Sequence, residues 1–181
     1  MRLESEKGLS AEATCTVPLK RSSSLKADTF TVVRQSPEPS WPAYRTLHVR
    51  VTFTDFQKEE NYYRLFGMVT GYYTNLNTGN TWLQSEYVRF DQEYLTDKGF
   101  DGKEIVQSTI DNLNPFIGDS CFVKINLLNT EKSYYLYHKS LDNYNNGENP
   151  FAEVTPVFSY VTGGLGVVAA CTIDSVVIRI K

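Results

Sequence analysis

An all-β fold, an antiparallel β-sandwich, is predicted by three features of this sequence. Leu47, Val49, Val51 and Phe53 alternate with His48, Arg50, Thr52 and Thr54, so one face of the segment is apolar and the other polar. A second run rich in aromatic and apolar residues follows a polar interruption at 55–61 and continues through Tyr72 and Tyr73. The whole chain carries twelve Tyr and ten Phe, residue types that favour strands. The two runs read as antiparallel strands joined by a polar loop, at the centre of the domain.

In chain order, residues 1–7 are charged and Gly8 breaks the run. Residues 11–17 (A-E-A-T-C-T-V) form a candidate strand closed by Pro18. A lone strand before a polar stretch reads as the last strand of an upstream domain, so 1–18 is taken as its remnant. Residues 19–29, with K-R-S-S-S-L-K inside them, read as a linker. The sandwich domain is then 30–181. Its first short strand is expected at 30–33. Pro37, Pro39 and Pro42 enforce an extended crossing around Trp41.

Beyond the central pair, N-L-N-T-G-N at 75–80 is a turn signal, with Gly79 free to take positive φ. Residues 81–90 return as a strand carrying Trp82 and Tyr87. Residues 91–103 form a loop with two glycines, 105–112 are ambiguous between strand and short helix, and 121–127 alternate as a strand. One peripheral helix is expected at 131–145. Asn129 or Thr130 serves as N-cap, and Glu131 lies in the first turn, where the helix dipole favours a carboxylate. Tyr134, Tyr137, Leu141 and Tyr144 form its apolar stripe. Asn146-Gly147 and Pro150 end it. Strands at 157–161 and 175–180 flank the bend Gly163-Gly164-Leu165-Gly166 and the apolar stretch 167–171.

The totals narrow the function classes. A net charge of −3 with no basic run gives no electrostatic footprint for nucleic acid or an anionic membrane surface. No apolar run approaches the ~20 residues of a membrane helix, and the first residues do not form a signal peptide. Cys15, Cys121 and Cys171 form no framework; one disulfide can be drawn, and three free or buried thiols is the plainer reading.

Candidate chemistry is sparse. Two histidines exclude a multi-histidine metal site, and H-E-x-x-H, G-x-S-x-G and P-loop patterns are missing. The Gly163–Gly166 bend has no following Lys-Ser/Thr, so it reads as a turn and not a phosphate loop. His48 falls on the polar face of its strand, where a solvent-facing or hydrogen-bonded role outweighs catalysis. His138 sits at the edge of the helix stripe as a partly buried structural group. Asp55, Glu59 and Glu60, beside Asn61, crowd the central loop with oxygens of the type hard cations take. Their spacing matches no calcium loop, and a solvated hairpin tip is the better reading; no metal and no cofactor are expected. Asp91, Glu93, Asp97 and Asp101 form a second acidic group, in which a carboxylate pair could serve glycoside hydrolysis but also suits capped turns. Tyr72, Tyr73 and Trp82 flank one turn and are the candidate ligand-binding residues. Adjacent Tyr72 and Tyr73 must face opposite sides. An exposed Tyr and Trp could stack on a sugar or grip a peptide, against the plainer role of sheet core or edge cover.

Several motifs occur in order: A-E-A-T-C-T-V-P, V-T-F-T-D-x-x-x-x-E-N-Y-Y-R-L, G-F-D-G-K at 99–103, Y-Y-L-Y-H-K-S-L, N-P-F-A-E-V at 149–154, and S-Y-V-T-G-G-L-G-V. Together they resemble an uncharacterised family of Bacteroidota envelope lipoproteins (domain of unknown function 4249), over nearly the whole chain. The sequence departs from that pattern at 166–169, where an aromatic and another glycine would stand. The resemblance implies the C-terminal β-domain of a protein whose signal peptide, lipidated cysteine and first β-domain precede it. Cys15 is not that cysteine, because its surroundings are not a signal-peptide end. The resemblance implies an outer-membrane-anchored location and genes beside TonB-dependent transporters, and it carries over no catalytic or binding residue.

The resulting expectation is a non-enzymatic cell-envelope protein accessory to TonB-dependent nutrient uptake, binding the transporter or a ligand such as a glycan or peptide. It predicts an exposed apolar or aromatic patch. The rivals are a glycan-active hydrolase using an Asp/Glu pair and a structural module with no ligand site. For the architecture, the central strands also look like those of an immunoglobulin or fibronectin-type sandwich, and a small barrel is the alternative.

Overall fold

The computed structural model describes residues 1–19, 24–38, 40–75, 77–113, 121–145 and 156–180. Ten strands and one helix follow in the order β1 (Arg2–Glu4), β2 (Ser10–Glu12), β3 (Lys26–Arg34), β4 (Tyr44–Thr54), β5 (Tyr62–Thr74), β6 (Thr81–Val88), β7 (Tyr94–Thr96), β8 (Glu104–Ser108), β9 (Cys121–Thr130), α1 (Lys132–Asn145) and β10 (Cys171–Ile180). All strand pairs are antiparallel. One sheet runs β10-β9-β5-β6, with β7 also on β5, and the other runs β3-β4-β8. Neither closes on itself among the described residues, so the fold is an open sandwich and not a barrel.

The inner faces are those that period-two alternation selects. Val49, Val51 and Phe53 of β4 and Ile105 of β8 meet Tyr63, Leu65 and Val69 of β5 and Val123, Ile125 and Leu127 of β9. Phe53 and Tyr63 cross the interface edge to face, with ring centroids 5.1 Å apart. The chain leaves β6 at Val88, bridges the other sheet through Phe90 and Thr109, and returns to β5 as β7. That excursion ties the two sheets together at one edge.

Several expectations change. The N-terminal segment is not a lone strand: β1 and β2 form a hairpin, and Glu12 exchanges two backbone hydrogen bonds with Thr162. Strand β3 starts at Lys26, inside the stretch read as a linker, because pairing with Thr52 extends it beyond its apolar residues. The ambiguous segment is strand β8, held by β4. Residues 157–161 form no strand, whereas the closing strand starts earlier, at Cys171, opposite Thr130. Thr130 cannot cap the helix, since its backbone is paired with both Tyr62 and Cys171. Glu131 takes the capping position instead of the first turn, and its carbonyl accepts the Tyr135 N–H at 3.2 Å. The helix-ending residues 146–150 lie outside the described residues. All three cysteines are free thiols; burial pushes the Cys121 thiol up from its ordinary pKa.

His48 is not on a wet face. It is buried, stacks on Phe30 at 5.5 Å, and its Nδ1 faces the Thr109 carbonyl at 3.0 Å. A carbonyl only accepts, so the proton sits on Nδ1. Thr46 and His48 are covered because β3 and the segment around Thr109 close over that side of β4. The turn at 75–80 forms as its residues dictate: Asn75 Oδ1 accepts the N–H groups of Asn77 and Thr78, and Gly79 has φ of 69°. Among the described residues no helix is long and apolar enough to cross a membrane.

Candidate functional site

Among the described residues, the outer face of the larger sheet carries a run of exposed apolar side chains on neighbouring strands. Strand register sets it in rows. Val177, Lys124, Met68 and Tyr87 line up across β10, β9, β5 and β6. The next row holds Arg179, Phe122, Thr70 and Ser85, and Tyr72 stands beside Leu83 one step further on. The apolar members are exposed: Tyr87 by 67%, Val177 by 59%, Leu83 by 56% and Tyr72 by 50%. The outward positions of these four strands carry no carboxylate, and the side chains of Lys124 and Arg179 make no hydrogen bond or ion pair among the described residues. The described part of the face is therefore apolar and weakly cationic.

Helix α1 covers the other end of the same face. Tyr135 packs on Tyr62 at 5.2 Å, and His138 stacks on Tyr94 at 5.2 Å. Arg64 donates to Glu93 (2.8 Å) and to the Tyr134 hydroxyl (2.7 Å). These contacts desolvate His138 and place the Arg64 charge beside it, so its pKa falls below the ordinary 6.5. Burial pushes the Tyr94 hydroxyl up. The tyrosine stripe is thus spent on packing, as its helical spacing indicates. Tyr144, at the far end of the helix, stays exposed.

The three candidate ligand-binding residues do not converge. Tyr73 lies directly opposite Trp82, and Tyr72 opposite Leu83, so Tyr72 and Trp82 occupy opposite faces of the β5–β6 hairpin. Tyr72 and Trp82 are both half exposed; the Tyr73 side chain lies outside the described residues. Tyr72 joins the apolar face, and Trp82 does not. Sequence reading missed Met68, Phe122, Tyr87 and Val177 as a group. The available signal was the unbroken apolar stretch 176–178 and the Cys121-Phe122-Val123 triplet, which put apolar side chains on both faces of their strands.

The acidic groups are rearranged by the fold. Asp55 joins Asp97 and Asp101, with carboxylate oxygens within 4.8 Å of one another, while Glu59 and Glu60 stay at the surface. Among the described acidic side chains, these three are the ones whose oxygens could meet on a hard cation. Their oxygens already accept hydrogen bonds: Asp55 from the Tyr63 hydroxyl (2.7 Å) and Gly102 N–H (2.8 Å), Asp97 from Asn61 N–H (3.0 Å), and Asp101 from Lys58 N–H (2.7 Å). Burial and the Asp55 carboxylate push the Tyr63 hydroxyl far above its ordinary pKa, so it stays a donor. This arrangement pins two loops to the end of β5. Glu93 is held by Arg64 at 2.7 Å, and Asp91 lies exposed in the loop after Phe90.

A cleft of about 490 Å³ opens at the start of α1, between Cys15, Tyr62, Lys132, Phe158 and Tyr160. Of its charged groups, Lys132 pairs with Glu60 at 3.2 Å. Hydrogen bonds from Tyr62 and Lys132 hold the Glu60 carboxyl below its ordinary range. The Thr16 N–H donates to the Glu131 carboxylate, which closes one wall.

Residues 3–176 match the family model described as Domain of unknown function (DUF4249). No curated protein matches the chain.

Proposed function

The chain belongs to the family Domain of unknown function (DUF4249), and from that premise we propose that it is a non-enzymatic binding protein of the cell envelope. In this reading it is the C-terminal β-domain of a lipoprotein anchored to the outer membrane, accessory to TonB-dependent nutrient uptake. It binds the transporter or the transporter's ligand through the bare outer face of its larger sheet. The observation that carries the reading is that face: Met68, Tyr72, Leu83, Tyr87, Phe122 and Val177 are all exposed at outward positions of neighbouring strands. None of the clefts among the described residues is lined by these side chains, which suits a protein partner better than a small ligand held in a concave site. Lys124 and Arg179 favour a partner bearing carboxylates. The motif resemblance described above supports the envelope location and the transporter.

The test measures binding of the purified chain to the detergent-solubilised transporter encoded beside its gene, with a glycan array in parallel. The double variant M68D/Y87D replaces two apolar members of one row with carboxylates and opposes any acidic partner. The expected result is transporter binding in the wild type, weakened at least tenfold in the variant, which must keep its melting temperature. Unchanged binding by a folded variant, or no binding in the wild type to either probe, overturns the reading.

A further inference from the structure

The larger sheet has two edges, and they differ. Strand β10 lies against β3 of the facing sheet. Strand β6 is bonded to β5 along one side, in unbroken register from Gly67↔Val88 to Thr74↔Thr81, and no described strand pairs with its other side. Seven of its eight residues are exposed or part-exposed. An open edge of this kind templates the addition of another strand, and natural proteins usually protect it with lysine, proline or a bulge. Strand β6 reads T-W-L-Q-S-E-Y-V, with no lysine, no proline and a single charge, Glu86. Along this side its backbone has no strand partner among the described residues.

We infer that β6 is a self-association edge, on which a second copy of this chain pairs antiparallel across a two-fold axis through Ser85. The side chains support that occupant and that register. With Ser85 opposite Ser85, Leu83 of each copy faces Tyr87 of the other, an aliphatic–aromatic pair made twice on the outer face. On the inner side Gln84 faces Glu86. Within one chain Gln84 already donates to Glu86 at 2.7 Å, so the same bond can be made between copies. Moving the axis to Glu86 would set two carboxylates directly opposite each other, which is unfavourable. The pairing is isologous and closed, so it stops at a dimer. It also joins the apolar rows of both copies into one continuous surface, since Tyr87 and Leu83 end those rows. A strand from an unrelated protein gains none of this two-fold matching.

Light scattering over a concentration series tests the inference on the full chain. The expected result is a monomer–dimer equilibrium, with a Kd on the order of micromolar because an edge pairing buries little surface. S85K sets two like charges opposite each other at the axis and is expected to weaken the dimer by about tenfold or more. The second variant is S85C in a chain with Cys15 and Cys171 changed to Ser. Opposed cross-strand residues have Cα atoms about 4.5–5.5 Å apart, within reach of a disulfide. Diamide should therefore link S85C into a covalent dimer and leave a control cysteine at exposed Thr31 unlinked. A wild type that stays monomeric throughout overturns the inference, as does a dimer that survives S85K. So does linking no better at Ser85 than at Thr31.

Discussion

At the scale of single residues, the buried polar groups dominate. Asp55 is a buried carboxylate that accepts from the Tyr63 hydroxyl and the Gly102 N–H. Tyr63→Phe keeps the ring against Phe53 and removes only the hydroxyl. It is expected to cost about 2 kcal/mol in urea unfolding, the usual scale for a hydrogen bond to a charged group; no loss would mean that Asp55 is satisfied without it. His138 gives the pH dependence. Burial against Tyr94 and Tyr134 depresses its pKa, with Arg64 pushing the same way and Asp142 and Glu93 opposing. The unfolded chain then binds the proton more tightly than the folded one. The stability due to neutral His138 is full above pH 6.5 and is lost as pH falls through the lowered folded value. Thermal melts should show a steeper acid loss in the wild type than in His138→Phe, which keeps the stacking and cannot titrate; parallel curves would refute this.

At the scale of elements, connections between distant segments decide where strands and helix begin. Strand β9 keeps Thr130 because two neighbours claim its backbone, and the helix therefore starts one residue after Glu131. The N-terminal hairpin is fixed in the same manner, by the Glu12–Thr162 bridge. Gly163 makes that bridge feasible. Its φ is 78°, and a Cβ there would lie 2.3 Å from the Ser10 carbonyl oxygen. Gly163→Ala combines left-handed strain, about 1–2 kcal/mol, with a collision against backbone. The hairpin should then come away while the sandwich stays folded. Limited proteolysis after β2 should accelerate with little change in the main melt; equal protection in wild type and variant would exclude the bridge as the anchor.

At the scale of the whole molecule, the binding prediction rests on a distinction between two halves of one sheet face. Helix α1 covers the half near Tyr62 and Arg64, and no described element covers the half around Met68 and Tyr87. M68D/Y87D should leave the melt of the chain nearly unchanged, because neither side chain contributes to the core between the sheets; M68D alone, away from the β6 edge, separates loss of the face from loss of self-association. The sequence by itself determined the all-β class, the inward residues of β4 and β9, the turn at Asn75 and the tyrosine-striped helix. Each of these is a local periodicity or a turn rule, legible within a dozen residues. The tertiary structure alone decided what covers each face. It buried His48 beneath Phe30 and Thr109, gathered Asp55 with Asp97 and Asp101 from two separate acidic stretches, and put Tyr72 and Trp82 on opposite sides of one hairpin. Alternation says that the two faces of a strand differ. Which face meets protein and which meets water depends on contacts between residues far apart in the chain, and no local pattern encodes those.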